Sequence, residues 1–325
     1  MKQGKLTNQD LNRLVLDRLG RQRPEVVLGA GIGEDCAALD LKGDLCVLST
    51  DPITAAAKNQ GSLAVHVSAN DVASAGAEPV GLLVTLLIPP SSTWEEVEQV
   101  VEELTKTASS LNLDVIGGHT EVTNAVSRLV VSTTVIGRAP KKGLVRSAGA
   151  KEGDALLITK WAGIEGTSII LNDFPHLAAD ILTTEELEEA HRLERGISVV
   201  AEGRIAAKLG ATAMHDVTEG GVLGAVHELA TAAGLGAKID FARIPIATCT
   251  QKLCRRLGLD PLRLLSSGSM LIAIAANLAE ELQAALEKEG IPSAMIGHLS
   301  RGRIETLDGR EISPPQADEI YKLPE

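Results

Sequence analysis

Between residues 29 and 39 the chain reads GAGIGEDCAAL. Glycines at alternate positions, Gly29, Gly31 and Gly33, run into the acidic pair Glu34 and Asp35. Glycine carries no Cβ, so the backbone there can approach a ligand closely and adopt positive φ. Successive N–H groups in such a loop cradle phosphate oxygens. A carboxylate directly after it stands where a hard cation bridges to those phosphates. Taken alone, the loop reads as a turn leading into a strand over residues 36–41 (CAALDL). It is neither of the two commonest glycine fingerprints. A dinucleotide loop has Gly-x-Gly-x-x-Gly opening a helix, and a P-loop ends in Gly-Lys-Ser/Thr, which occurs nowhere in this chain.

The 325 residues suffice for one large or two medium domains. Only 2% are aromatic, so the core is built from Ala, Val, Leu and Ile. That scarcity argues against single-stranded nucleic acid, which is held on stacking platforms. A net charge of −12 disfavours any long phosphate backbone as partner, while a small anion carried with Mg²⁺ stays compatible with it. Cys36, Cys46, Cys249 and Cys254 have no metal-ligand spacing and read as buried small hydrophobes of a reducing compartment. The first residues lack an apolar signal core. The longest apolar run, residues 80–90, is too short to span a bilayer. The expectation is a cytoplasmic protein with neither nucleic-acid nor membrane partners.

Periodicity predicts a helix over 7–19, a short strand at 26–28 and a strand at 45–49 that delivers Thr50 and Asp51 to a loop, with Pro52 ending the ladder. A helix follows over 62–75, rich in small residues that imply close packing against another backbone. It carries Asn70 and Asp71, which point about 100° apart. Asp71 is either buried with a partner or metal, or on a solvated face. Strands at 81–88, 114–121 and 129–137 flank a helix over 91–111 that opens with a capping box, Thr93 and Glu96. This order fits a mixed sheet with helices on one side. Pro, Gly and charge collect over 139–154, which places a domain boundary there, residues 1–148 against 149–325. The second half reads as a strand at 155–159, a helix after the loop around Lys160, helix over 183–209 interrupted near Gly196, and a strand from Thr212 into a loop at Gly221. A helix over 222–233, a strand at 270–275, a helix over 278–289 and strands at 293–298 and 303–307 complete it. Lys160 reads as a phosphate contact or a solvated lysine.

Carboxylates stand at element ends beside small residues: Asp35, Asp51, Asp71, Glu121 and Asp216. Hard oxygen ligands gathered on a Mg²⁺–phosphate are the recurring way to hold ATP for phosphoryl transfer. Five segments occur in a telling order: GIGEDCAAL (31–39), STD (49–51), VSANDVASAGAEP (67–79), GGHTE (117–121) and HDVTEGG (215–221). Together they resemble the aminoimidazole ribonucleotide synthetase (PurM-like) superfamily, which includes that purine enzyme, thiamine-monophosphate kinase, selenophosphate synthetase and the hydrogenase maturation protein HypE. The resemblance covers nearly the whole chain. It implies two α+β domains, a homodimer whose N-terminal mixed or antiparallel sheets pack together, and ATP bound with Mg²⁺. It also implies phosphorylation of a substrate oxygen or selenium, often to activate an amide or carbonyl oxygen. Carried over by motif, Asp35, Asp51, Asp71 and Asp216 are metal ligands, Gly31 and Gly33 hold phosphate, and Thr50 and Asn70 neighbour the nucleotide.

Length, spacing and the STD segment look most like HypE, which implies a hydrogenase-maturation-type protein partner. Yet HypE carries its carbamoyl group on a C-terminal cysteine, and no cysteine follows Cys254. His119 stands where HypE and thiamine-monophosphate kinase place Asp, and is similar there to selenophosphate synthetase, whose N-terminal Cys–Lys pair is absent. Residues 53–57 (ITAAA) hold neither the Glu-Gly-x-His of thiamine-monophosphate kinase nor the glycine-rich segment of the purine enzyme. His119 and His215 each read as a hydrogen-bonded structural histidine or a general base. The sequence thus leaves an ATP-dependent enzyme, a non-catalytic nucleotide-binding scaffold or regulator, and a small-molecule kinase as readings.

Overall fold

The structure, a computed structural model, describes residues 4–5, 10, 13–20, 23–28, 38–39, 42–140, 142–314 and 317–323. The chain divides into two compact units, Met1–Val72 with Glu78–Lys141, and Ala73–Ala77 with Lys142–Glu325.

The first unit is built on seven strands: β1 (Gly4–Lys5), β2 (Val26–Leu28), β3 (Ala38–Leu39), β4 (Leu45–Pro52), β5 (Glu78–Ile88), β6 (Asp114–Val122) and β7 (Val130–Ala139). Five of them form one mixed sheet in the order β1-β6-β5-β7-β4, and β2 pairs with β3 separately. Only β5 and β6 run parallel. That geometry needs a crossover, which α2 (Trp94–Ser110) provides. The expected capping box of Thr93 and Glu96 starts this helix. Its inward stripe is Val97, Val101 and Leu104.

The other helix, α1 (Gln60–Ser74), lies against β7. Ser68 Oγ donates to the Thr133 carbonyl, and Thr133 Oγ1 donates to the Ala64 carbonyl. Its small residues do admit another backbone. A Cβ on Gly61 would sit 2.1 Å from the Val100 carbonyl oxygen of α2.

Two expectations are corrected in this unit. Leu16–Arg18 forms a 3-10 turn, and much of the rest of the expected 7–19 helix lies outside the described residues. The second concerns Pro52, which does not stop the ladder: β4 continues to it, with Pro52 opposite Ser132. The reason is that β4 is an edge strand. Ile53 N donates to the Val131 carbonyl, so odd-numbered N–H groups face β7 and the missing N–H of Pro52 faces the free edge, where proline is tolerated.

The second unit carries β8 (Ala155–Thr159), β9 (Ala213–Asp216), β10 (Gly236–Ile239), β11 (Met270–Ile274), β12 (Ser293–Ser300) and β13 (Ile304–Thr306) in the order β13-β10-β12-β8-β11-β9. Its helices are α3 (Ile164–Asp173), α4 (Pro175–Ile181), α5 (Thr184–Glu194), α6 (Val200–Lys208), α7 (Gly221–Ala232), α8 (Thr248–Leu257) and α9 (Ala279–Lys288). Side chains alternate across the central strands, and here both faces are buried. Leu156, Ile158, Leu271 and Ala273 join the cluster under α7, with Val222, Val226 and Leu229. Leu157, Met270, Ile272 and Ile274 join the cluster of Val199, Ala206, Leu282 and Leu286 from α6, α9 and the residue before α6. Such strands read as continuous apolar runs. That is why β8 and β11 were legible, whereas short β10 and the polar helix α8 were not. Cys249 and Cys254 are buried in α8, as expected, but Cys46 is exposed on β4. Cys36 lies outside the described residues.

Candidate functional site

In the first unit, alternation along β4 puts Ser49 and Asp51 on one face and Thr50 on the other. The first pair meets α1. Ser49 Oγ donates to Asp71 Oδ2 at 2.5 Å and lies 3.4 Å from Asp51 Oδ2. One hydroxyl thus gathers two half-buried carboxylates, one from a strand and one from a helix. Asn70, the neighbour of Asp71, is fully buried. Thr50 is exposed, and its hydroxyl accepts from Thr134 Oγ1 at 2.8 Å. Asp51 therefore sits inside a strand rather than in a loop. Asp35, Gly31 and Gly33 lie outside the described residues. Among the described residues, no three His, Cys, Asp or Glu side chains gather closely enough to hold a metal ion. The carboxylates of Asp51 and Asp71 are hard oxygen donors of the kind that Mg²⁺ takes, one or two at a time beside phosphate.

On β6, His119 Nε2 lies 3.3 Å from Glu121 Oε2, with both side chains part-exposed. They form a local pair on the sheet face that Ser49 and Asp51 do not share.

In the second unit, Asp216 ends β9 with 1% exposure. The loop behind it turns through Gly220 and Gly221, both at positive φ, 81° and 60°. A Cβ on Gly221 would meet the Leu262 carbonyl oxygen at 2.7 Å, so conformation and space both require glycine here. His215 Nε2 lies 2.6 Å from Glu228 Oε2. Burial pulls the imidazole pKa down, but the Glu228 carboxylate and Asp216 outweigh it, and the net shift is upward.

Lys160 corrects both of its expected roles. It is buried, at a positive φ of 55°. Its Nζ donates to the Gly196 and Ser198 carbonyls at 2.7 and 2.6 Å and lies 2.7 Å from Glu202 Oε1. Every ammonium proton is thereby used within the unit, and burial lowers the lysine pKa.

Glu165 was not singled out in the sequence. It lies in the first turn of α3 with 5% exposure, and its Oε2 makes no hydrogen bond. Burial pushes its carboxyl up to about 7, and the nearby Asp318 and Glu219 carboxylates add to that. The only signal in the sequence is an acid inside the otherwise apolar and small run AGIEGTSII.

Residues 33–139 match the AIR synthase related protein N-terminal domain, and residues 151–309 match the C-terminal domain of the same family. A protein of Methanocaldococcus jannaschii named for hydrogenase expression and formation is 29% identical over 334 residues, 96% of each chain. The carbamoyl dehydratase HypE of Cupriavidus necator is 30% identical over 262 residues, 78% of this chain and 72% of that one. The crystal structure of Escherichia coli HypE, a hydrogenase maturation protein, superposes with a TM-score of 0.82 at 27% identity, covering 97% of this chain and 99% of the other. With both family domains in order and this kinship along its length, the chain belongs to the AIR synthase related family, has its two-domain PurM-like fold, and is a homologue of HypE.

Proposed function

We propose that the protein binds ATP with Mg²⁺ and uses it to activate an oxygen of a small substrate by phosphoryl transfer. The observation that carries this reading is the pairing of Asp51 and Asp71 around Ser49. Asp51 and Asp71 would hold the ion, while Asp35 and Asp216 enter on motif alone. Gly31, Gly33 and Asn70 are assigned to the phosphates on the same ground. Thr50, on the other face of β4, has less to support it. When bound, the ion supplies charge neutralisation on the transferred phosphoryl group. The chain's own part is positioning: the Ser49 hydroxyl fixes Asp71 against β4, so the two carboxylates are arranged before any ligand arrives.

Kinship to a carbamoyl dehydratase supports an amide or carbonyl oxygen as the activated atom. It also supports a hydrogenase-maturation-type protein partner and a cytoplasmic location. No helix among the described residues is long and apolar enough to cross a membrane. A homodimer through the open face of the five-stranded sheet is part of the same reading. Leu48 on that face is 61% exposed.

A second reading is a nucleotide-binding scaffold without turnover. The thiols favour it. Cys249 and Cys254 are buried, with pKa values pushed up by burial to about 12, so neither serves as a carrier nucleophile at neutral pH.

Calorimetric titration with a non-hydrolysable ATP analogue, with and without Mg²⁺, tests the shared premise. Mg²⁺-dependent binding is expected, and no binding under either condition overturns both readings. ADP release in the presence of small amides and carbonyl compounds then separates them.

A further inference from the structure

The second unit contains an acidic cluster that the nucleotide reading does not use. Glu165 opens α3 with Ser267 against its carboxyl. Asp318, 3% exposed, comes from the far end of the chain. It accepts from the Gly220, Leu265 and Ile320 N–H groups at 2.7, 3.1 and 2.9 Å. Those bonds pin the segment around Asp318 onto the start of α7. Glu219, exposed, accepts from the Tyr321 hydroxyl at 2.7 Å, and Tyr321 is itself 57% exposed. Glu219 and Tyr321 mark the surface side of the cluster, and Glu165 is its floor.

Buried carboxylates are normally paired with a cation. Here the basic side chains on adjoining segments are engaged elsewhere, Arg263 with Asp260 and Lys322 with Glu319. Asp318 is satisfied by backbone donors, which leaves it as a fixed negative field. Glu219 has one oxygen on Tyr321. Glu165 Oε2 is the one buried acceptor of the cluster left without a hydrogen bond. An uncompensated buried acid lowers stability, and positions that do so are drawn from functional sites.

We propose that Glu165, with Glu219 and Asp318 around it, forms a cation subsite that receives the protonated nitrogen of a small organic ligand, an ammonium or amidinium bearing N–H donors. The chemistry matches the unbonded acceptor. An N–H donor gives Oε2 the bond it lacks, and its positive charge compensates three acids at once. A divalent metal fits less well, because no three carboxylates of the described residues gather around one point. The subsite lies wholly in the second unit and stands apart from any nucleotide.

Trp161 makes the subsite readable. The chain has two tryptophans, Trp94 and Trp161. The carbonyl of Trp161 accepts from Ser269 Oγ at 2.6 Å on the loop that carries Ser267. In the W94F protein at pH 8, Trp161 emission is followed during titration with methylammonium chloride. Sodium chloride and tetramethylammonium chloride, which has no N–H, serve as controls. A saturable change with methylammonium alone is expected. Glu165→Gln should remove it, and Glu219→Gln should weaken the apparent affinity severalfold. A response equal to that of sodium chloride overturns the proposal, as does an undiminished response in Glu165→Gln. If Glu165→Gln does not fold, the exposed Glu219→Gln decides, and unchanged affinity there overturns it. Because no nucleotide is present, the result is independent of whether ATP binds.

Discussion

Lys160 Nζ and Glu202 Oε1 lie 2.7 Å apart with both side chains almost wholly enclosed, 9% and 2% exposed. The pair ties the end of β8 to α6, and the two further bonds from Nζ fix the turn at Gly196 and Ser198. A buried pair of this kind contributes little net stability relative to apolar replacements, but losing one member leaves a bare charge. Lys160→Met and Glu202→Met should each cost about 3–5 kcal/mol, and the double variant should recover much of that loss. Urea unfolding of all three measures the coupling. Additive losses would mean that the two groups do not depend on each other.

Asp51 and Asp71 share Ser49, so the metal-binding reading makes a joint prediction. Asp51→Asn and Asp71→Asn keep the shape and hydrogen bonding but lose the charge. Each should weaken Mg²⁺-dependent binding of an ATP analogue at least tenfold, about 1.4 kcal/mol, with little change in unfolding midpoint. Ser49→Ala should produce a smaller loss, since it only frees the Asp71 carboxylate. Full Mg²⁺-dependent affinity in both Asn variants would remove these aspartates from the ion.

The two-domain fold was legible because its central strands are apolar on both faces and its longer helices announce themselves. The capping box at Thr93 and the glycines before α7 read directly. Other features depended on partners far away in the chain. Asp51 looked like a loop residue because Pro52 follows it, and only the edge position of β4 makes that proline harmless. Lys160 looked like a surface or phosphate lysine because its partner Glu202 sits on a separate helix and no local pattern links them. Glu165 gave little signal, since the Asp318 that lies beside it is separated by most of a domain. The five ordered motifs carried the family, although the first of them, with Asp35, lies largely outside the described residues.

The outer face of β4 bears Cys46, Leu48 and Thr50, with Leu48 61% exposed. An edge strand carrying a large apolar side chain invites pairing with another surface. If the protein is a homodimer through this sheet face, Leu48→Glu buries a charge in the contact and should shift sedimentation from dimer to monomer at micromolar concentration. The isolated fold should survive, because the side chain faces away from α1. A monomer in the unaltered protein, or a dimer untouched by Leu48→Glu, would place any association elsewhere.

Glu165 also predicts how stability varies with pH. Its folded carboxyl titrates at about 7 against 4.5 when unfolded, chiefly because burial disfavours the charge. The folded state therefore holds the proton more tightly. The stabilisation is full below about 4.5, fades as pH rises toward 7, and is gone above it. At about 1.4 kcal/mol per unit, the loss is on the order of 2–3 kcal/mol. Glu165→Gln cannot ionise, so this part of the pH dependence should vanish in it. Urea unfolding at pH 5 and pH 8 gives the comparison. The unaltered protein should lose more stability than the variant between the two values, by that amount, since all other groups titrate alike in both. A methylammonium ion in the subsite should restore part of the loss at pH 8 in the unaltered protein and none in Glu165→Gln. Parallel pH dependence in the two proteins would mean that Glu165 is ionised and solvated in the folded state.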